Sequence, residues 1–391
     1  MKVERIIEIN KAAVGVSKAT HFVIVPLWAY YLGYGIMEIG LIITVRTLAY
    51  GIFIPLVTFV FGVLTDRRSV KIPLIGAHIV EAIAYIMIMT GNFPLLVLGS
   101  AIGGIAEHLM YPSVVKTLGR GYRIRESKTE LFVKSYLVEY ISESLIVLAF
   151  SILYMAEHPS AVYRQIMAFV TILCIIVGII SYGLEAPEIK TTKELKLRKY
   201  EATILKGFVV YNALVAIGVG MTVPYVPYLL RSHFALEPQY VAWTYVALYM
   251  LHAAIVTHLI KYTKKKGILA TIIGLETITA LFLILMGICF GRVELFILFY
   301  IIRSSIYIFI TPLSASYKAR VFRHEIHALA SSTIRSAWTL ANGAGRALGI
   351  IALAAYPQMT FLVAGIFGLL GVIGFVIFLL EVPGILHTKH Y

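Results

Sequence analysis

Apolar residues run along this chain in long blocks, interrupted by glycine, proline and clusters of charge. Twelve blocks stand out, at 12–32, 38–61, 72–90, 94–116, 131–155, 162–184, 204–230, 239–261, 267–290, 294–315, 331–355 and 359–381. A helix that crosses the hydrocarbon core of a bilayer needs roughly 20 mostly apolar residues, and each block supplies about that length. The pattern therefore predicts an all-α membrane protein of twelve transmembrane helices. The longest polar stretch between blocks, 185–203, carries mixed charge and no apolar run. It divides the chain into an expected N-terminal six-helix half (1–184), a cytoplasmic linker (185–203) and a C-terminal six-helix half (204–391).

Composition agrees with this division. Sixty per cent of the 391 residues are hydrophobic and only 14% are charged, where a soluble domain carries nearer a quarter charged residues. The twelve spans use almost all of the apolar supply, so no soluble core or catalytic ectodomain is expected. The N-terminus lacks the short apolar region and small-residue site of a cleaved signal peptide, so the first helix is expected to be retained. The two cysteines, Cys174 and Cys289, both lie inside apolar blocks and offer neither a disulfide framework nor a metal spacing.

The net charge of +14 would suggest nucleic acid in a soluble protein. The basic residues instead fall in alternate loops. With the N-terminus inside, the inner segments hold 26 lysines and arginines and the outer loops hold 3, namely Arg164, Arg231 and Arg292. By the positive-inside rule, both termini are cytoplasmic, and the basic runs orient the chain and can meet lipid head groups. No nucleic-acid partner is expected.

A repeat supports the two halves. Val25-Pro26-Leu27-Trp28-Ala29-Tyr30-Tyr31-Leu32 aligns with Val223-Pro224-Tyr225-Val226-Pro227-Tyr228-Leu229-Leu230 at an offset of 198, which also aligns Ile75-Gly76 with Ile273-Gly274. Duplicated halves joined by an inner linker describe a transporter better than a channel or a membrane enzyme.

Between the second and third blocks stands Gly62-Val63-Leu64-Thr65-Asp66-Arg67-Arg68-Ser69-Val70-Lys71-Ile72-Pro73-Leu74. This resembles the signature loop of the major facilitator superfamily, G-x-L-x-D-R-x-G-R-K-x-x-L. Gly62, Leu64, Asp66, Arg67, Lys71 and Leu74 match, whereas Ser69 and Val70 replace the Gly and Arg positions. The resemblance implies the fold of that family, two pseudo-symmetric six-helix halves around a central cavity. It also implies a conformational latch at Gly62, Asp66, Arg67 and Lys71, with Asp66 meeting the start of the eleventh helix near Ser331-Ser332. Val70 removes the arginine of the latch's second ion pair. In physical terms, Asp66 is an anion at a cation-rich inner surface, able to accept from helix N-terminal amides and from an arginine.

Ionisable groups inside spans are costly and are functional candidates by default. Glu139 and Glu143 lie four apart on one face of the fifth span. Glu143 stands roughly 18 Å from that helix's inner end, near mid-membrane, and Glu107 falls near the middle of the fourth. Carboxylates close together in a low dielectric resist simultaneous ionisation, so Glu107, Glu139 and Glu143 are the expected proton- and substrate-coupling residues. Arg46, Arg303, Arg335 and Arg346 are expected as buried counter-ions or anion ligands. Glu81 and Glu276 are assigned supporting or snorkelling roles. The histidines His21, His78, His252 and His258 are scattered, and no metal site is expected.

Trp28, Tyr136, Tyr140, Tyr225 and Trp338 are the expected cavity aromatics, able to hold a bulky apolar cation by cation–π attraction. The spans carry only two asparagines, Asn212 and Asn342, too few for the directional bonds of a sugar site. The fourth span lacks the arginine, and the fifth the Gly-Pro pair, that drug antiporters of the resembled family often carry. The expected function is alternating-access secondary transport, with proton-coupled efflux of amphipathic or cationic small molecules leading. Uptake or exchange of an organic anion through Arg46 and Arg303 is the first alternative, and a lipid flippase the second. No nucleophile–base set appears, so no enzyme is expected. The chain is expected to need no cofactor and to act as a monomer in the plasma membrane, with a small-molecule substrate and protons as its partners.

Overall fold

In a computed structural model of the chain, the described residues are 3–49, 71–121, 128–156, 158–183, 197–266, 268–322 and 324–381. All regular structure among them is helical. The helices are α1 (Val3–Ala19), α2 (Val25–Tyr31), α3 (36–49), α4 (Lys71–Met89), α5 (Phe93–Gly121), α6 (Lys128–Ala156) and α7 (Pro159–Ser181). There follow α8 (Lys199–Thr222), α9 (Val226–Ser232), α10 (Pro238–Lys266), α11 (Ile268–Ile288), α12 (Val293–Val321), α13 (His324–Ala355) and α14 (Pro357–Leu380). Eight stretches among the described residues are long and apolar enough to cross a membrane, which is compatible with the twelve spans expected. The protein is an integral, multi-pass membrane protein.

Helix starts follow local chemistry. Pro159 and Pro357 stand in the first turns of α7 and α14, behind His158 and Tyr356 in non-helical conformation. Proline suits that position, because its missing N–H has no partner to lose there. The two aligned repeat segments both sit at a helix irregularity. A π-turn at Thr20–Ile24 joins α1 to α2, and a 3-10 turn at Val223–Tyr225 joins α8 to α9. Pro26 and Pro224 interrupt the hydrogen-bond ladder at the matching place, which produces the break.

The chain forms two compact units. One comprises Met1–Thr191 with Tyr225–Ala253, the other Thr192–Pro224 with Ala254–Tyr391. The expected linker falls largely outside the described residues, as do Gly62, Asp66 and Arg67 of the signature loop. Lys71, the last matched cation of that loop, opens α4 with its ammonium 4.1 Å from the centre of the Tyr182 ring.

In the first unit α4 packs on α5 and α7, and α1 packs on α6. The α1–α6 approach depends on Gly15, where a Cβ would overlap the Glu139 carbonyl. Small residues allow this closeness where lipid provides no hydrophobic drive between helices. A buried polar network also ties α1, α4 and α7 together. Asn10 Oδ1 lies 2.7 Å from His78 Nε2, and Asn10 Nδ2 donates to Ser181 Oγ at 3.1 Å. The polarity is inside out: His78, Glu81 and Tyr85 of α4 are buried while Ile72, Ile79, Ile83 and Ile86 are exposed. In the second unit α8 packs on α13 and α14, and α14 also packs on α11. Val363, Ile366, Leu370, Ile373 and Ile377 form an exposed apolar stripe along α14.

Candidate functional site

Charged side chains in the first unit gather into two clusters. In one, the Glu139 carboxylate on α6 receives Lys11 Nζ and Lys18 Nζ of α1, each at 2.7 Å. Lys18 also stands 3.8 Å from Glu143, one turn further along α6. The spacing of seven between Lys11 and Lys18 brings both onto the α1 face that meets α6. This set holds two cations and two carboxylates. The sequence places Lys11 among the orienting charges of the inner surface, but it is buried and its ammonium is also 4.6 Å from the Tyr136 ring centre.

The second cluster centres on Arg46 of α3. One of its nitrogens, Nη2, reaches Glu81 of α4 at 3.1 Å and Glu107 of α5 at 3.5 Å. Ser17 of α1 donates to the same Glu81 oxygen, and Tyr85 donates to the Ser17 carbonyl at 2.6 Å. Arg46 and Glu81 are buried, whereas the Glu107 side chain retains 23% exposure. Gly103 and Gly104 admit the arginine. A Cβ at Gly103 would overlap its Nη1, and one at Gly104 its carbonyl. Here one guanidinium serves two carboxylates. Glu81, expected to play a supporting or snorkelling part, is fully buried and holds the arginine.

Of the expected coupling residues, Glu107 meets Arg46, one of the expected counter-ions, whereas Glu139 and Glu143 meet cations that the sequence does not assign to them. Sequence reasoning points Glu139 and Glu143 at buried arginines, and the cations that meet them are lysines. Lys18 escapes it altogether. The available signal is a cation inside the first apolar block, seven residues after Lys11.

The expected aromatics divide. Tyr136 and Tyr140 stack on α6 with ring centres 6.0 Å apart, and Tyr140 meets the His252 ring of α10 edge-on at 5.4 Å. Tyr249 flanks the same imidazole at 5.9 Å. Trp28 is buried against Tyr31 and Tyr163, and Tyr225 is likewise buried.

In the second unit the expected arginines are dispersed. Arg346 Nε donates to Asn342 Oδ1 at 2.9 Å, and the Asn342 amide donates to the Ala216 carbonyl. Arg303 is 3% exposed, and its Nε has no hydrogen-bond partner among the described residues. Its guanidinium lies 5.1 Å from the Tyr307 ring, which stacks on Trp338 at 6.1 Å. Glu276 acts on Arg303 only through space; its carboxylate accepts instead from the Tyr211 hydroxyl and from Thr279. Further along, Lys318 of α12 lies beyond the apolar stretch Val293–Thr311. Burial, with Arg335 nearby, pushes its ammonium down to about 8. Among the described residues no three metal-ligating side chains cluster.

The sequence profile of the Major Facilitator Superfamily matches residues 9–317. No curated protein matches the chain in sequence. Among solved structures, the chain is similar to a point mutant of the nucleoside transporter NupG, at 14% identity and a TM-score of 0.72, covering 96% of this chain and 99% of that one. It is also similar to a bacterial homologue of the iron transporter ferroportin in its outward-facing state, at 12% identity and a TM-score of 0.69, covering 97% and 99%. At these identities the likeness establishes the fold.

Proposed function

The chain belongs to the major facilitator superfamily and is a secondary membrane transporter of small molecules, and from this premise we propose that its transport is proton-coupled through Glu107. The observation that carries the proposal is the sharing of Arg46 between Glu81 and Glu107. One guanidinium faces two carboxylates, and Lys18 acts on Glu107 only through space, so full ionisation leaves the cluster short of one contacting cation. A proton removes the excess negative charge at less cost than burying it. Glu81 is the shorter, fully buried partner and also accepts from Ser17. Glu107 is the longer and more exposed partner, and so the one of the two that water can reach. The Lys11–Lys18–Glu139–Glu143 set is balanced and supports a fixed role, with Lys18, at 36% exposure, its most accessible member.

In this reading the halves 1–184 and 204–391 alternate access to a midplane site, and loading or unloading Glu107 changes which state is favoured. The loop charges support cytoplasmic termini in the cell membrane. A second reading, efflux of an amphipathic cation, draws on Tyr136 and Tyr140 beside the carboxylates of α6. There Lys11 already occupies the aromatic face and both lysines occupy Glu139, so such a substrate must displace a lysine.

The test uses purified protein in liposomes under an imposed pH gradient, with labelled aromatic carboxylates, lipophilic cations and fluorescent lipids as separate panels. Accumulation driven by the gradient, lost in Glu107→Gln while gradient-free exchange persists, is the expected result. Equal gradient-driven accumulation by the variant would sink the proposal. Movement of lipid alone, without a gradient, would favour a flippase.

A further inference from the structure

Arg303 is a buried cation on a membrane-spanning helix with no carboxylate in direct contact among the described residues. Such residues are normally paired, because an unpaired charge at that depth is strongly disfavoured. Glu276, which acts on it through space, accepts its hydrogen bonds from the Tyr211 and Thr279 hydroxyls instead. Arg303 lies ten residues into α12, or about 15 Å along a helix, half the thickness of a hydrocarbon core of roughly 30 Å. That depth is remote from lipid head groups. The adjacent Ser304 hydroxyl is also buried and has no hydrogen-bond partner among the described residues. Two neighbouring donors, a guanidinium N–H and a hydroxyl, are therefore both unsatisfied. Beside them, one helical turn along α12, Tyr307 stacks on Trp338 of α13 to make an aromatic wall.

We propose that Arg303, Ser304, Tyr307 and Trp338 form a binding subsite for an aromatic carboxylate or another aromatic monoanion. The guanidinium and hydroxyl donate to the anionic oxygens, and the Tyr307–Trp338 pair takes the ring. This names the substrate class of the transporter and rests on the transport reading above. It explains why an arginine can be retained at this depth: the ligand is its counter-ion. A guanidinium suits the role because its fork of donors matches a carboxylate and its charge is never lost. A neutral analogue of the same shape would leave those donors unpaired and bind poorly.

Binding is measured directly on purified full-length protein in detergent, by tryptophan fluorescence and thermal shift. The probes are benzoate, phenyl phosphate, neutral benzamide and cationic benzylamine. Benzoate or phenyl phosphate is expected to bind saturably, and benzamide and benzylamine not. Arg303→Gln is expected to weaken the anion roughly thirtyfold or more, with Arg303→Lys intermediate and Trp338→Leu reducing affinity for ring-bearing anions but not for acetate. Arg303→Met supplies a readout independent of affinity. Without anion it should melt higher than wild type, because an uncompensated charge is gone, and added benzoate should no longer raise its melting point. Absence of anion binding by wild type, or unchanged binding by a folded Arg303→Gln, overturns the subsite. Either result would leave proton coupling at Glu107 intact if pH-driven transport of another panel survives. Conversely, anion binding that requires Arg303 in a protein whose transport ignores the pH gradient would uphold the subsite and reject the coupling.

Discussion

Tyr30 and Tyr228 meet edge-on with ring centres 5.9 Å apart, and they occupy equivalent places in the two copies of the duplicated segment. Arg231 reinforces the contact from 5.7 Å above the Tyr30 ring. The pair follows the proline-marked breaks between α1 and α2 and between α8 and α9, so both tyrosines belong to the short helices that leave those breaks. In the reading proposed above, in which the halves 1–184 and 204–391 alternate access, this contact joins the two halves and parts in each cycle. Cysteines at 30 and 228, joined by a short bifunctional thiol reagent, should therefore arrest transport, and cleavage of the bridge should restore it. Full transport by the bridged protein would show that this contact does not open.

Glu139 and Glu107 should separate stability from coupling. Glu139→Gln leaves Lys11 and Lys18 without their shared partner, and Lys11 is buried. Breaking a buried pair from one side costs about 3–5 kcal/mol, and the partial exposure of Lys18 moves the expected loss to about 3 kcal/mol. Denaturation in mild detergent should show that loss for Glu139→Gln. Glu107→Gln should match wild type or exceed it, because Arg46 keeps Glu81. Equal destabilisation by both variants would contradict the division of roles.

Lys318 gives the stability a measurable pH dependence. Its ammonium is pushed down to about 8 by burial and by Arg335, so above that pH the folded protein has released a proton that the unfolded chain still holds. Wherever the unfolded state binds more protons, stability rises with pH. The charged Lys318 therefore destabilises the fold at neutral pH, and the penalty fades between about 8 and the ordinary lysine range near 10.4. Thermal melts across that window should rise for wild type and run flatter for Lys318→Met, which should melt higher at about pH 7. Parallel curves would remove Lys318 as the cause.

Hydrophobic blocks make the helices legible because the bilayer dictates span length. The expected blocks at 72–90 and 359–381 correspond to α4 (Lys71–Met89) and α14 (Pro357–Leu380). The first block starts at residue 12 by its pattern, whereas α1 begins at Val3. There Lys11, Arg5 and Glu8 read as a polar flank, although α1 carries Lys11 into the protein against Glu139. The membrane acids are visible from their cost alone, but their partners are not. A sequence leads one to expect that Arg46 and Glu107 both lie inside spans, yet only the approach of α3 to α5, permitted by Gly103 and Gly104, brings them to 3.5 Å. Arg303 shows the converse. Its place in a span is legible, while the lack of a contacting carboxylate among the described residues requires three dimensions.

Proton coupling through Glu107, as proposed, places one exchangeable proton in the Arg46-centred cluster. Infrared difference spectroscopy of the reconstituted protein across a pH jump detects the carbonyl stretch of a protonated carboxylic acid directly. Wild type should show that band appear and vanish with pH. It should be absent from Glu107→Gln and retained in Glu143→Gln. A band that persists unchanged in Glu107→Gln would assign the proton elsewhere and rule out coupling through Glu107.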